Sequence, residues 1–254
     1  MNVVMRVSIR PLALVSLALL LLAGGTGRPP LIAMAAVPSG DSLILDDFDG
    51  ECAAGFPVGW KSRSDAASAA RVYHVVRESS GQYLHAVAQA DSVQIGLPVT
   101  FRLHDYPLLS WRWRVGELPV GGDERAAATN DSAAGVYVVF KGGLGGLLPR
   151  ALKYVWSTAE PPGTALPSPR YPNARIIVLE SGAAERGTWK TETVNVADDY
   201  RRLFQSEPPE PQGIAVLTDA DNTQSRAVAD YDDFRVLAAT SPEAVASDMA
   251  RQAR

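Results

Sequence analysis

From Ser42 onward the chain alternates apolar and polar residues over short runs, each bounded by Gly, Pro, Asn, Asp or Ser. Such alternation, rich in β-branched and aromatic residues, reads as half-buried strand, because successive side chains of a strand point to opposite faces. About eleven runs are predicted: 43–48, 71–78, 83–89, 93–97, 99–103, 108–115, 134–140, 152–157, 175–180, 190–196 and 214–218, with 227–237 closing the domain. Within the domain only 198–205 (DDYRRLFQ) reads as helix. Many strands with almost no helix predict an all-β antiparallel β-sandwich of jelly-roll type over residues 42–238. A tail, 239–254, follows, in which Ser241 and Pro242 are placed to start a short helix over 242–252.

The alternation also assigns faces. A turn at Ser79-Ser80-Gly81-Gln82 pairs Glu78 with Tyr83 and sets Leu84, Ala86 and Ala88 beside Tyr73 and Val75 on the core side. His74 and His85 then share the opposite face, as solvated histidines or as two members of a metal set without a third nearby. In SWRWRV, Trp111, Trp113 and Val115 fall on one face and Arg112 and Arg114 on the other. In KYVW, Tyr154 and Trp156 repeat the pattern against Lys153 and Val155. Two stretches break the rhythm: 116–132 and 161–173, loops rich in Pro, Gly and charge and long enough to suggest a function. The glycine-rich 142–146 lacks the Lys-Ser/Thr of a phosphate loop and reads as a connection.

The N-terminus differs from the rest. Arg6 and Arg10 precede an apolar run, 11–23, followed by small residues and an Ala33-Met34-Ala35 cleavage pattern. This is the layout of a signal peptide over 1–35, shorter in its apolar core than the ~20 residues of a spanning helix. The expected location is periplasmic or secreted, with no stable membrane insertion after processing. A net charge of −4 without long single-sign runs excludes nucleic acid as the main partner. Cys52 is the single cysteine, so neither a disulfide framework nor a structural zinc is expected, and it reads as a buried or unreactive thiol.

Candidate chemistry is sparse. Nucleophile-elbow, zincin and kinase patterns are absent. Tyr154 and Trp156 could stack on sugar rings, with Arg112, Arg114, Asp131, Asp219, Asp221 and Asn222 hydrogen-bonding hydroxyls; the other reading of these aromatics, as of Trp111 and Trp113, is sandwich core. Acidic oxygens cluster at three places, 46–49, 219–223 and 230–233; the first and last strands can lie close together, so Asp47, Asp49, Asp232 and Asp233 are candidate ligands of a structural calcium, or turn residues without metal, while 219–223 lacks the Gly and distal Glu of an EF-hand loop. Glu180 and Glu192 are the candidate pair for carboxylate-based glycan hydrolysis, the alternative to two solvent-facing strand acids.

Four segments taken together, LLSWRWRV, NDSAAGVYVVF, YVWS and the stretch from DDYRRLF to TDADNT, resemble a bacterial family of exported proteins, domain of unknown function 3047. The similarity covers nearly all of 43–237 and is most specific at 213–223; Gln224 stands where that family often has Gly. The resemblance implies a β-sandwich like those of sugar-binding modules, without an established activity. The leading expectation is a non-catalytic binding module for a glycan or another polar envelope component. The alternatives are a glycan hydrolase and a structural envelope protein without a small ligand.

Overall fold

The computed structural model describes residues 41–143 and 148–241. The expected leader 1–35 and tail helix 242–252 lie outside the described residues, as does part of 142–146. Two sheets pack face to face, the all-β sandwich that the alternation predicts. The first runs β13 (Lys190–Asn195), β8 (Leu108–Glu117), β15 (Arg226–Leu237), β6 (Gly81–Gln89) and β5 (Tyr73–Glu78), with β1 (Ser42–Asp46) also on β15. The second runs β11 (Ala165–Pro167), β12 (Ala174–Ser181), β10 (Leu148–Ser157), β9 (Ala134–Gly143), β14 (Pro211–Leu217), β7 (Ile95–Pro98) and β4 (Lys61–Ser62). A small hairpin, β2 (Cys52–Ala53) with β3 (Phe56–Pro57), completes the strands and leaves Cys52 exposed rather than buried.

Four details differ from the sequence reading. The β10–β12 pairing is parallel, so the second sheet is mixed rather than wholly antiparallel. The β5–β6 turn is two residues tighter, with Glu78 opposite Gly81 and Val76 opposite Tyr83. Because the slip is an even number of residues, the faces are unchanged, and His74 pairs directly with His85. The 99–103 run is no strand: Pro98 ends β7, and the N–H groups of Asp105 and Tyr106 close a turn onto the Arg102 carbonyl, while Phe101 and Leu103 still plug the core.

The fourth is a second short helix, α1 (Ala66–Val72), which overlaps the start of the strand expected over 71–78. Asp65 caps it, accepting the Ser68 N–H at 2.7 Å, and the alanines that follow favour helix. The expected helix forms as α2 (Val196–Phe204), capped by Asn195, with Asp198 and Asp199 complementing its N-terminal dipole.

The core between the sheets is aromatic. Trp111, Trp113, Tyr154 and Trp156 are fully buried. Trp113 meets Trp111 edge-on at 5.4 Å and Trp156 of the facing sheet at 6.1 Å, while Trp111 meets Tyr154 at 5.7 Å. Edge-to-face contacts of this kind add to what burial alone contributes.

Candidate functional site

Strand alternation that sends Tyr154 and Trp156 inward must send Lys153 outward, and in β9 and β14 it does the same with Tyr137 and Leu217. Lys153 lies opposite Tyr137, and Tyr137 opposite Ala215, so these residues form one patch on the outer face of the second sheet. An outer-face lysine would ordinarily be solvated. Here it is 3% exposed, and residues of both long loops, Asn130, Arg170 and Tyr171, line one cavity with it. Gly135 leaves room for its stem: a Cβ there would come within 3.2 Å of Lys153 Cε.

Over this patch lies a cavity of about 340 Å³. Tyr137, Lys153 and Leu217 come from the sheet, Arg63 and Gln94 from beside β4 and β7, and Arg170 and Tyr171 from the 161–173 loop. Asn130, Asp219, Asp221 and Asn222 line its acidic end. The size sits at the lower end of the ~300–1,000 Å³ usual for small-molecule sites.

Hydrogen bonds fix the acidic end. Asp131, wholly buried, accepts the Asn222 N–H at 3.2 Å and both the N–H and hydroxyl of Thr223, at 2.7 and 2.6 Å. The Asp219 N–H donates to the Ser132 carbonyl at 3.1 Å. Gln224 then turns the chain at φ 51°, a left-handed conformation that glycine adopts more easily. Behind the cavity, buried Glu124 accepts from Ser132 Oγ at 2.8 Å and Ser157 Oγ at 2.6 Å, and Lys153 Nζ donates to Ser132 Oγ at 3.3 Å.

Electrostatics follow from burial. Burial pushes the Asp219 carboxyl well above the usual aspartate value; Lys153 opposes this, and Asp131 and Asp221 add to it. Burial likewise raises the Tyr137 hydroxyl. It opposes the charge on Lys153, but the groups around it, Tyr137, Asp219 and Glu124, outweigh that and hold the ammonium. Four buried polar atoms lining the cavity have no hydrogen-bond partner among the described residues: Gln94 Nε2, Asn130 Oδ1, Asp219 Oδ1 and Asn222 Oδ1.

Of the residues singled out from the sequence, Asp131, Asp219, Asp221 and Asn222 are brought together here. Tyr154 and Trp156 are not; both are core, the Tyr154 hydroxyl donating to Asp199 and the Trp156 ring N–H to the Gly182 carbonyl. Arg112 and Arg114 lie on the outer face of the other sheet. There Arg112 meets Asp232 at 2.5 Å and Asp233 at 3.0 Å, and Arg114 meets Asp230 at 2.7 Å and Glu78 at 3.2 Å. Trp189 covers both guanidinium groups at 4.7 Å.

The first and last strands do pair, yet Asp47, Asp49, Asp232 and Asp233 do not form a cage. Asp47 accepts the Asp49 N–H in a turn, Asp49 accepts the Gln82 N–H, and the other two hold Arg112. Glu180 and Glu192 lie on strands of different sheets. Lys153, Tyr137, Gln94, Asn130, Arg63, Arg170 and Tyr171 were not singled out as site residues. Two sequence signals point toward them: a lysine within the apolar run 151–156 (ALKYVW), and the two loops of unusual length.

Fold and site define a two-sheet β-sandwich with a polar, partly acidic cavity on the outer face of one sheet. The chain belongs to the family described as "Protein of unknown function (DUF3047)", whose model matches residues 58–235. No curated protein matches the chain significantly. Among solved structures it is similar to the family 11 carbohydrate-binding module of the cellulosomal cellulase Lic26A-Cel5E of Clostridium thermocellum, at 12% identity and TM-score 0.41, covering 78% of this chain and 94% of that one. It is also similar to a carbohydrate-binding module, CBM28, specific for non-crystalline cellulose, at 9% identity and TM-score 0.38, with 76% and 98% covered. The family GH12 endoglucanase 3 of Trichoderma harzianum matches at 9% identity and TM-score 0.36, with 79% and 97% covered. At this distance the likenesses carry no weight about activity. Among the described residues, no helix is long and apolar enough to cross a membrane.

Proposed function

We propose that this protein is a non-catalytic binding module, exported through its N-terminal leader, that takes a glycan or another hydroxyl-rich envelope component in the cavity over Tyr137 and Lys153. The observation that carries the reading is the set of unsatisfied groups: one donor, Gln94 Nε2, and three acceptors, on Asn130, Asp219 and Asn222, around one cavity. Each buried polar group left unpaired costs ~1–3 kcal/mol. A ligand that both donates and accepts relieves that cost, and a sugar hydroxyl does both. Lys153, Arg63 and Arg170 supply further donors, and the Tyr137 and Tyr171 rings supply apolar surface for C–H groups.

Glycan-array screening followed by calorimetric titration with the best oligosaccharide tests this. Tyr171→Ala and Gln94→Leu are expected to weaken binding about tenfold each, ~1.4 kcal/mol, while Arg112→Ala binds as wild type. Wild-type protein that binds neither arrayed glycans nor envelope polysaccharide overturns the reading, as does binding that survives both cavity substitutions.

A further inference from the structure

Asp131, Asp219 and Asp221 each present a carboxylate oxygen, and the three lie within 4.8 Å of one another. Oxygens bound to one calcium at ~2.3–2.6 Å stand no more than about 5 Å apart, so this spacing is that of a shared ion. Clustered acids alone would not distinguish an ion site from a solvated surface. The distinguishing feature is burial without partners. Asn130 is 7% exposed and Asp219 5%, and both carry an Oδ1 that accepts no hydrogen bond; Asn222 Oδ1 on the neighbouring loop is in the same state. All line the cavity with Asp221.

Two orphaned amide oxygens, on Asn130 and Asn222, and three carboxylates, of which Asp219 carries an orphaned oxygen of its own, make this end of the cavity rich in acceptors. Lys153 supplies one positive charge nearby, and its ammonium already donates to Ser132. Glu124, the remaining buried acid there, is occupied by two serine hydroxyls and takes no part. We propose that Asp131, Asp219 and Asp221, with the amide oxygens of Asn130 and Asn222, form a divalent-cation site of calcium type at the acidic end of the cavity.

The donor set decides the metal class. It consists of carboxylate and amide oxygens with no histidine or cysteine, which suits hard cations and disfavours zinc and copper. Five protein ligands fall short of the six to eight that calcium takes, leaving one to three positions for water or a ligand hydroxyl. Magnesium demands near-ideal octahedral geometry at shorter distances and keeps its waters, which a cage assembled from two irregular loops serves poorly. Asp131 is already held in place by Asn222 and Thr223, so the ion would meet a partly organised site. The proposal does not depend on a glycan, since the cation can be titrated alone.

The test is calorimetric titration of calcium chloride into chelator-treated full-length protein without sugar, alongside thermal melts. Wild type is expected to bind one calcium and to melt higher with it, by mass action. Asp221→Asn, at a half-exposed position, is expected to keep the fold and lose at least tenfold in affinity; Asp219→Asn is expected to lose more. Asp49→Asn is expected to titrate as wild type. No heat and no melting shift up to about 10 mM calcium, tenfold beyond the weakest ~10⁻³ M sites, overturns the proposal. So does an Asp221→Asn protein that binds calcium as wild type does. Calcium binding in a protein that binds no glycan leaves the cation site standing and removes only the reading of the cavity as a glycan site.

Discussion

Asp131 grips Thr223 twice, through the backbone N–H at 2.7 Å and the hydroxyl at 2.6 Å, and so ties the loop entering β9 to the loop leaving β14 across 92 positions of sequence. Removing either side of this clamp leaves buried groups unpaired. Thr223→Val removes one donor and is expected to cost about 1 kcal/mol. Asp131→Ala strands the Asn222 N–H and both Thr223 donors, and a loss of about 3 kcal/mol is expected. Urea denaturation with chelator present, so that no cation contributes, checks both. Equal stability of the two variants would show that the clamp does not hold the loops.

Trp113 sits at the centre of the inter-sheet aromatic contacts, fully buried. Its ring N–H donates to Glu192 Oε1 at 3.1 Å, which turns a core residue toward the sheet edge. Trp113→Ala is expected to cost about 3–5 kcal/mol, the range for large aromatic truncations in cores. Circular dichroism melts measure it. A variant that melts like wild type would mean that the core collapses around the gap.

Period-two alternation separated Trp111 and Trp113 from Arg112 and Arg114, because one face of each sheet is dry and a strand has only two faces. Asp131 and the Asp219–Asn222 cluster stood out as polar groups at strand ends, and the long loops 116–132 and 161–173 proved to carry Glu124, Asn130, Arg170 and Tyr171. What alternation does not encode is which strands become neighbours. Gln94, Tyr137 and Lys153 meet only because β7, β14, β9 and β10 lie side by side, an order that follows from tertiary packing. The choice between sugar platform and core for Tyr154 and Trp156 is open in the sequence for a related reason. Tyr154 and Trp156 alternate equally well toward a ligand or toward a second sheet, and the core of this sandwich is built of aromatics. Helix α1 escaped because seven residues make too short a window to show a helical period against the strand that follows.

On the other sheet, burial pushes Asp232 up to about 6, with Asp233 adding to it, against the hydrogen bonds from Arg112 and from the Asp233 N–H. The folded state therefore binds this proton more tightly than the unfolded chain does. Its contribution to stability is complete below about pH 4, where the unfolded group also protonates, and is lost as pH rises through about 6. Asp232→Asn is expected to flatten the wild-type decline between those values. The difference between the two proteins in urea midpoints across pH 4 to 7 isolates this group from other titrations. An unchanged difference at every pH would remove Asp232 as its source.

Arg6, Arg10 and the apolar run 11–23 lead to the expectation that mature protein starts near Ala36. Intact-mass analysis of protein from the envelope or medium of an expressing cell measures the start. Recovery of a chain beginning at Met1 would exclude cleavage.

Lys153 connects the cavity to the cation site, and its removal has two opposite consequences. Its ammonium is buried with Glu124 and Asp219, so Lys153→Met leaves those acids without their shared cation and is expected to destabilise the protein in chelator by about 3–5 kcal/mol. Lys153→Met combined with Glu124→Gln removes one of the stranded charges and is expected to recover part of that loss, so the two changes are non-additive. In calcium the sign reverses for binding. The ammonium lowers the negative potential at Asp219, so a cation site there competes with it, and methionine of similar length removes the competitor while keeping the stem volume. Calcium affinity of Lys153→Met is therefore expected to rise on the order of tenfold even though the calcium-free protein is weaker. Titration of both proteins, with circular dichroism to establish that the variant is folded, measures the two effects separately. A folded Lys153→Met protein with reduced calcium affinity would show that the ammonium organises the acids instead of competing for them.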